Sequence, residues 1–368
     1  MNKARLRCVL DQGAILPKMY QWDDAISVFC RKENFAFLSD RFGYLNKFSR
    51  INAAAISEGR FPLGNFSKSF SDIMRERAEE IYNLCKARNI RCVVLWSGGC
   101  DSTAVISAFL SVCDDVSFLK VLHTKSSVLE NSEFYDFMHK NHIETEIENT
   151  FSIFNIALEY AKSGHIVVYG FPADQLFGSI IGQNYKGDTT KETWYKFLSN
   201  KDNAIQQYEE AFRFYNLPIK TIAEFLWFNN FALKWDYVCN WSVVSEHDTD
   251  ENIISFFDTY DFECWSVSNF DILHRYDQKN IQTYKLEMKK FIYSVIGMEY
   301  IFHMKKIPSI SYAYDIDSVN IPFTQNAISA IDDCGIIHTV KFPEIKGPYS
   351  SNIVGKYATT IMRKFLKR

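Results

Sequence analysis

Between residues 92 and 169, short apolar runs rich in β-branched residues alternate with stretches of helical periodicity. The runs 92–96, 116–122, 144–148 and 165–169 read as strands, and 103–111, 133–141 and 153–162 read as the helices between them. A chain that switches period in this way within about eighty residues has few ways to bury both faces of its strands. The one that fits is a parallel sheet covered by helices, which places the protein in the α/β class. A further helix is predicted over 69–88, with Ser71 as its N-cap. Residues 1–70 read as short strands and turns, with strand-like pieces at 5–10, 25–30 and 36–38. Beyond Lys186 the pattern is mostly helical to Tyr300 and rich in aromatic clusters, so a largely helical C-terminal half is expected. Two weak strand signals and a basic helix, VGKYATTIMRKFLKR, close the sequence. The expected division is a small N-terminal segment over 1–75, a nucleotide-binding α/β core over 76–195, and a helical substrate-side region with a C-terminal extension over 196–368.

Charge and cysteine usage narrow the class of function. Lys and Arg number 41 against 44 Asp and Glu, a formal net charge of −3, so no bulk field favours nucleic acid or an anionic membrane. The opening, MNKARLRCVLDQG, lacks the apolar run of a secretion signal, and no stretch reaches the ~18 apolar residues of a membrane helix. The nine cysteines include no C-x-x-C pair and are irregularly spaced, which suits reduced thiols rather than a disulfide framework or a zinc site. A cytoplasmic protein is expected, with neither membrane nor nucleic acid as a partner.

The strand at 92–96 breaks off into Ser97-Gly98-Gly99, followed by Asp101-Ser102-Thr103 at the first turn of the next helix. Two glycines let the chain take positive φ and let an external group approach the backbone. Successive N–H groups of such a turn, continued by those of a helix start, make an anion-binding nest, and the hydroxyls of Ser97, Ser102 and Thr103 add donors. The spacing and the missing lysine separate it from a Walker loop. Asp101 would repel a phosphate unless a cation lay between them, and a hard divalent ion such as Mg²⁺ takes carboxylate and phosphate oxygens together. An ordinary strand-to-helix turn capped by Asp101 or Ser102 is the competing reading.

A second strand, 165–169, runs into Gly170 and then Ala173-Asp174-Gln175. Ligands of parallel sheets gather at the carboxyl ends of strands, so Asp174 is expected on the same rim as Asp101, the pair holding one phosphate-bound Mg²⁺. SGGCDST after a hydrophobic strand resembles the SGGxDS signature of the PP-loop, or N-type ATP pyrophosphatase, superfamily. GFPADQLFGS at 170–179 resembles the G-x-G-A-D-E-L-F-G-G signature of the synthetase domain of asparagine synthetases. ALKWDYVCNW, IISFFDTYDFECW with Asp258, and YKLEMKKFI at 284–292 are looser matches, so the likeness spans roughly residues 75–310.

This resemblance implies an adenine nucleotide α-hydrolase-like fold and an ATP-dependent, AMP-forming carbon–nitrogen ligase. Such an enzyme adenylates a carboxylate, releases pyrophosphate and passes the acyl group to a nitrogen nucleophile. It implies ATP and Mg²⁺ as cofactors, with Asp101 and Asp174 as metal ligands. Nucleotide contacts are implied at Ser97, Gly98, Gly99, Asp101, Ser102, Thr103 and Gly170, and the adenine near Leu122, His123 and Thr124. A reaction-centre lysine is implied as well. The family's Arg-x-Lys has no clear counterpart, and Lys305 or Lys306 is the nearest candidate, with Lys285 behind them and Asp258 positioning the lysine or the substrate. Gly170-Phe171-Pro172 replaces Gly-x-Gly, Gln175 replaces an acid, and Glu192 is expected on a helix surface where the family has a substrate-side acid. Asn2 stands where glutamine-dependent members have a nucleophilic cysteine, and the first cysteine is Cys8. The nitrogen is therefore expected from ammonia, from an amine on the substrate or from a separate glutaminase subunit. Two alternatives remain: a PP-loop enzyme modifying a nucleobase or tRNA, and a catalytically degenerate nucleotide-binding homologue.

Overall fold

The computed structural model describes residues 66–113, 115–148, 153–171, 173–177, 187–198, 202–214, 217–231, 235, 252–269, 284–304, 327–331 and 337–341. They fall into two compact units, one drawn from Pro62–Ser179 and Cys239–Val319, the other with its described parts in Ile180–Val238 and Asn320–Arg368. The strand-like pieces before residue 60 and the basic helix at the C-terminal end lie outside the described residues.

The first unit opens with helix α1 (Phe70–Arg88). Its cap is Ser69, whose Oγ accepts from the Asp72 N–H, rather than the expected Ser71. Ser71 lies inside the helix, where it has no free N–H group two or three residues ahead to satisfy. Then follow β1 (Cys92–Trp96), α2 (Cys100–Val112), β2 (Leu119–His123), α3 (Lys125–Glu130), α4 (Ser132–Lys140) and β3 (Glu144–Ile147). After these come α5 (Ile153–Lys162), β4 (Ile166–Tyr169) and the single turn α6 (Ala173–Leu176). The short helix α3 was not expected. It is fixed by a capping box in which Thr124 and Ser127 satisfy each other's backbone N–H groups.

The strands form one parallel sheet in the order β3-β2-β1-β4-β5, so the expected parallel α/β architecture is present. Its fifth strand, β5 (Ile253–Ser255), pairs with β4 and lies in a stretch read as helical from the sequence. Three residues are too few to impose a period of two on the sequence, so only tertiary pairing reveals the strand. Val93 and Val167 point to the face covered by α5, where Leu122, Ile153, Ala157 and Ala161 join them in a buried cluster. The alternate residues of β1 face α2, and Trp96 Nε1 donates to Thr103 Oγ1 there at 3.1 Å. Helix α2 packs in turn against α1 and against a later helix, α10 (Leu286–Ile296). Between β5 and α10 lies α9 (Tyr260–Ser268), whose Ser266 Oγ donates to the Leu176 carbonyl at 2.6 Å and so ties down α6.

The strand order has one consequence for function. The chain steps outward from β1 to β2 to β3, then returns to the other side of β1 as β4. The loops leaving β1 and β4 therefore depart from neighbouring strands in opposite senses. A crevice opens at such a reversal, outside the carboxyl ends of the strands.

The second unit contains α7 (Asp202–Phe214), α8 (Ile222–Asn229) and the antiparallel pair β6 (Ala327–Ile331) and β7 (Ile337–Lys341). Its described core is aromatic, with Trp194 stacked on Phe225 at 5.6 Å and Tyr208 edge-on to Phe225 at 4.7 Å. The buried Tyr208 hydroxyl donates to Asn229 Oδ1 at 2.6 Å. Glu192 belongs to this unit, pairing with Lys196 at 3.2 Å and accepting from the Asp188 N–H at 3.0 Å.

Candidate functional site

At the reversal between β1 and β4, the first loop is shaped by what a glycine permits. Gly98 has φ of +82°, and a Cβ there would lie 2.4 Å from the Ser127 carbonyl oxygen, so the loop rests directly on the start of α3. Asn131 Nδ2 donates to the Gly98 carbonyl at 3.2 Å from the other side. The Ser97 N–H donates to Ser102 Oγ at 3.0 Å, and the two hydroxyls lie 3.1 Å apart. Ser97 is exposed, whereas Ser102 is buried and knits the loop together.

The N-cap of α2 is Gly99, which brings no capping side chain, while α1, α3, α4, α8 and α9 are each capped by a Ser, Thr or Asn. The first N–H groups of an α-helix have no partner within the helix, and the N-cap of α2 offers them no side chain, while the Gly99 N–H itself donates to Ser97 Oγ at 3.4 Å. Thr103 differs from expectation. Its hydroxyl is fully buried and accepts from Trp96, so it braces strand against helix rather than reaching a ligand. His123 differs too. It is 1% exposed, edge-on to Trp96 and Tyr135, with Nδ1 3.3 Å from the Thr124 carbonyl. A ring so enclosed supports the end of β2 instead of offering a face to a base.

The second loop approaches the first at Gly170. A Cβ on that residue would lie 3.1 Å from the Ser102 nitrogen and 3.2 Å from the Asp101 carbonyl carbon. The turn after β4 thus runs so close to the start of α2 that a side chain would push the two apart by a few tenths of an ångström. Ser255 Oγ, at the end of β5, donates to the Phe171 carbonyl and holds the turn from the far side. Asp174 follows in the first turn of α6, and Gln175 beside it is buried.

Asp101 and Asp174 meet across a cation, and the cation belongs to the protein. Lys285 Nζ forms ion pairs with Oδ1 of both aspartates. The Lys285 side chain is 6% exposed, while Asp101 and Asp174 keep 24% and 37% of theirs open to solvent. Tyr284 donates its hydroxyl to Asp174 Oδ1 at 2.7 Å. Burial works to lower the Lys285 ammonium, but the two carboxylates override it and hold its pKa well above the usual lysine value. Burial, with Asp174 and Asp101 adding to it, likewise keeps the Tyr284 phenol protonated. Cys100, between Gly99 and Asp101, is pushed up to about 12 by burial and by the Asp101 carboxylate, which leaves it an inert thiol. One turn beyond Lys285 on the same face of α10, Lys289 is buried, and burial pulls its pKa down.

Lys305 and Lys306 lie outside the described residues. Asp258 sits in the turn after β5, its N–H donating to the Ser255 carbonyl at 3.4 Å, on the same rim of the sheet. Among the described residues no group of three or more His, Cys, Asp or Glu side chains is arranged to hold a metal, and no helix is long and apolar enough to cross a membrane. Comparison with protein families and with curated proteins finds no match to this chain.

Two groups of the site were scarcely visible in the sequence. Lys285 stands there only behind Lys305 and Lys306 as a reaction-centre candidate, within the looser match YKLEMKKFI, and Tyr284 beside it is given no role. The structure adds a local signal: Lys285 is the N-cap of α10, has φ of +56° and caps nothing with its side chain. A lysine in the left-handed region at a helix start is uncommon.

The two carboxylates have the donor chemistry of a hard divalent cation. Two carboxylates from separate loops converge on a single cation, the ammonium standing in that place, and both retain solvent-facing surface. Asp101 and Asp174 would hold Mg²⁺ only if other oxygen ligands, such as phosphate and water, supplied the rest of its coordination.

Proposed function

We propose that this protein is an ATP-dependent ligase that activates a carboxylate as its acyl-adenylate, releases pyrophosphate and forms an amide. The observation carrying this reading is the convergence of Asp101 and Asp174 at the reversal of the sheet, beside a glycine loop with an uncapped helix start. Asp101 and Asp174 would hold Mg²⁺ with the polyphosphate, and the ion would screen charge as the bond between the α- and β-phosphates breaks.

The chain's own groups have distinct tasks in this reading. The backbone N–H groups of the Ser97–Gly99 turn and the first turn of α2, with the exposed Ser97 hydroxyl, bind and orient the leaving pyrophosphate. A carboxylate oxygen of the substrate attacks the α-phosphorus, and the bond to the α–β bridging oxygen breaks. Lys285 and Lys289, on one face of α10, supply positive charge where negative charge grows on phosphate oxygens. A nitrogen nucleophile, ammonia or an amine, then attacks the acyl carbon, loses a proton and displaces AMP. The departing carboxylate oxygen stays in AMP, so the amide forms without free oxide as a leaving group.

The experiment is a product analysis with α-labelled ATP, Mg²⁺, ammonia and a panel of carboxylates. Equimolar AMP and pyrophosphate in the presence of one carboxylate is the expected result. Release that needs RNA or a nucleobase instead of a carboxylate assigns the site to nucleic-acid modification, and ADP with phosphate removes the adenylation chemistry. One observation favours a second reading: Lys285 already neutralises part of the charge a metal would use. A protein that binds nucleotide but turns over nothing in the panel is a degenerate homologue.

A further inference from the structure

A buried ammonium bonded to two carboxylates is an unusual way to leave an acid pair that is open to solvent on its other side. The three groups come from three separate parts of the chain: the start of α2, the turn after β4 and the residue before α10. Each is independently fixed. Gly170 sets the spacing of the two acid-bearing loops, Ser266 and Ser255 anchor the second of them, and α10 packs along α2. Tyr284 adds a hydroxyl to Asp174 from the same direction as the ammonium. The lysine backbone is held in the left-handed region, and its carbonyl accepts from the Lys289 N–H at 3.0 Å, so its side chain is aimed by the first turn of α10.

The charge balance has a direct consequence. The acid pair alone carries two negative charges, and with Lys285 it carries one. The affinity of carboxylate sites for divalent ions follows the ligand charge count. A free divalent ion therefore meets a half-neutralised pair with a fixed positive group touching both Oδ1 atoms. The same ion arriving on a polyphosphate brings an excess of negative charge that Lys285 attracts.

We infer that Lys285 is the resident counter-ion of Asp101 and Asp174, and that it makes entry of divalent metal conditional on a bound polyphosphate. This rests on the reading of the site as a nucleotide site, and it assigns Lys285 a task in the nucleotide-free protein. The lysine is a positioning residue before the ligand arrives and a phosphate contact afterwards. Metal without nucleotide is refused.

The test is Mn²⁺ binding, followed by electron paramagnetic resonance and by thermal melting, with and without a non-hydrolysable ATP analogue. Four chains are compared: the native protein, Lys285→Met, Lys285→Arg, and Lys285→Met combined with Asp101→Asn. Without nucleotide, Lys285→Met is expected to bind Mn²⁺ at least about tenfold more tightly than the native chain, because it restores the full charge of the acid pair. Lys285→Arg, which keeps the charge, is expected to refuse the metal as the native protein does, and the double variant is expected to lose the gain. Should Lys285→Met melt early through repulsion of its aspartates, added Mn²⁺ should restore its transition, and failure to do so overturns the proposal. Equal Mn²⁺ affinity in the native and Met chains without nucleotide overturns it, as does tight binding by the Arg variant. If the native chain binds Mn²⁺ only with the analogue while Lys285→Met gains nothing, the counter-ion role fails and the nucleotide site stands. If no chain binds Mn²⁺ even with the analogue, the nucleotide site itself fails.

Discussion

Asp101 serves two partners at once in the proposed reaction, and this makes its removal informative. In the nucleotide-free protein it shares the Lys285 ammonium with Asp174. Removing one member of a buried ion pair costs ~3–5 kcal/mol when the other is left uncompensated. Here the lysine keeps Asp174 and its protein environment, so Asp101→Asn is expected to cost less than that and to stay folded. In turnover no second group replaces it. AMP formation should fall by about 10²–10³-fold, the scale of losing one preorganised electrostatic contact in a transition state. Thermal melting and the labelled-ATP assay on the same preparation separate the two effects; an active Asp101→Asn chain removes the metal role. Asp101 and Asp174 were both legible in the sequence because each stands in a glycine-bounded turn after a buried strand. Thr103 looked like a site residue as a hydroxyl within the SGGCDST motif, and His123 because the resemblance implies an adenine at the end of β2. Their side chains are consumed by Trp96, Tyr135 and the Thr124 carbonyl instead. Nothing in one dimension tells a hydroxyl facing a ligand from one facing an indole.

The elements carry a second test, because the two glycines that shape the site act differently. Gly98→Ala places a methyl 2.4 Å from the Ser127 backbone oxygen and forces alanine to φ of +82°. The backbone term alone is ~1–3 kcal/mol, and the clash adds to it. Gly164→Ala, at φ of +90° with nothing within 4 Å of the added carbon, isolates the backbone term. Gly98→Ala should therefore lose more stability in urea melts than Gly164→Ala, and it alone should lose nucleotide binding. Gly170→Ala meets backbone at 3.1 Å, close enough to push the β4 loop away from α2 by a few tenths of an ångström. Its expected signature is weakened turnover with a nearly native melt; a variant equally active shows that the two loops tolerate a wider gap. The core strands and helices were readable at this scale because buried β-branched runs and helical stripes are local patterns. β1 and α5 begin and end where the sequence places them. α2 starts at Cys100, ahead of its expected first turn, because a bare Gly99 can serve as N-cap. β5 and the placement of Lys285 were hidden, since both depend on chain more than seventy residues past β4 folding back onto this sheet.

At the scale of the whole molecule, the reversal in strand order concentrates charge at one end of the sheet, and stability should respond to pH through a group beside it. His123 ends β2 and is 1% exposed. Burial lowers its pKa, its bond with the Thr124 carbonyl works the other way, and the nearby His139 adds to the lowering. The folded protein thus keeps the imidazole neutral to lower pH than the unfolded chain does, which takes up a proton near the ordinary value of ~6.5. With more protons bound in the unfolded state below that value, stability must fall as pH drops through it, and must be flat in this respect above it. The slope from one histidine is limited to about 1.4 kcal/mol per pH unit. Glu144 and Glu146 do not blur this window. Their hydrogen bonds with Arg91 and Lys120 lower their pKa values, so their stabilisation is lost only in stronger acid, as pH falls through those lowered values. Urea melts of the native chain at intervals from pH 8 to 5 should show stability constant down to about 6.5 and declining beneath it. His123→Asn can keep a donor toward Thr124 without the titrating ring; it should be less stable throughout and should lose the decline. If the decline persists unchanged in that variant, the acid sensitivity belongs to another group, and the enclosure of His123 between Trp96 and Tyr135 has no part in it.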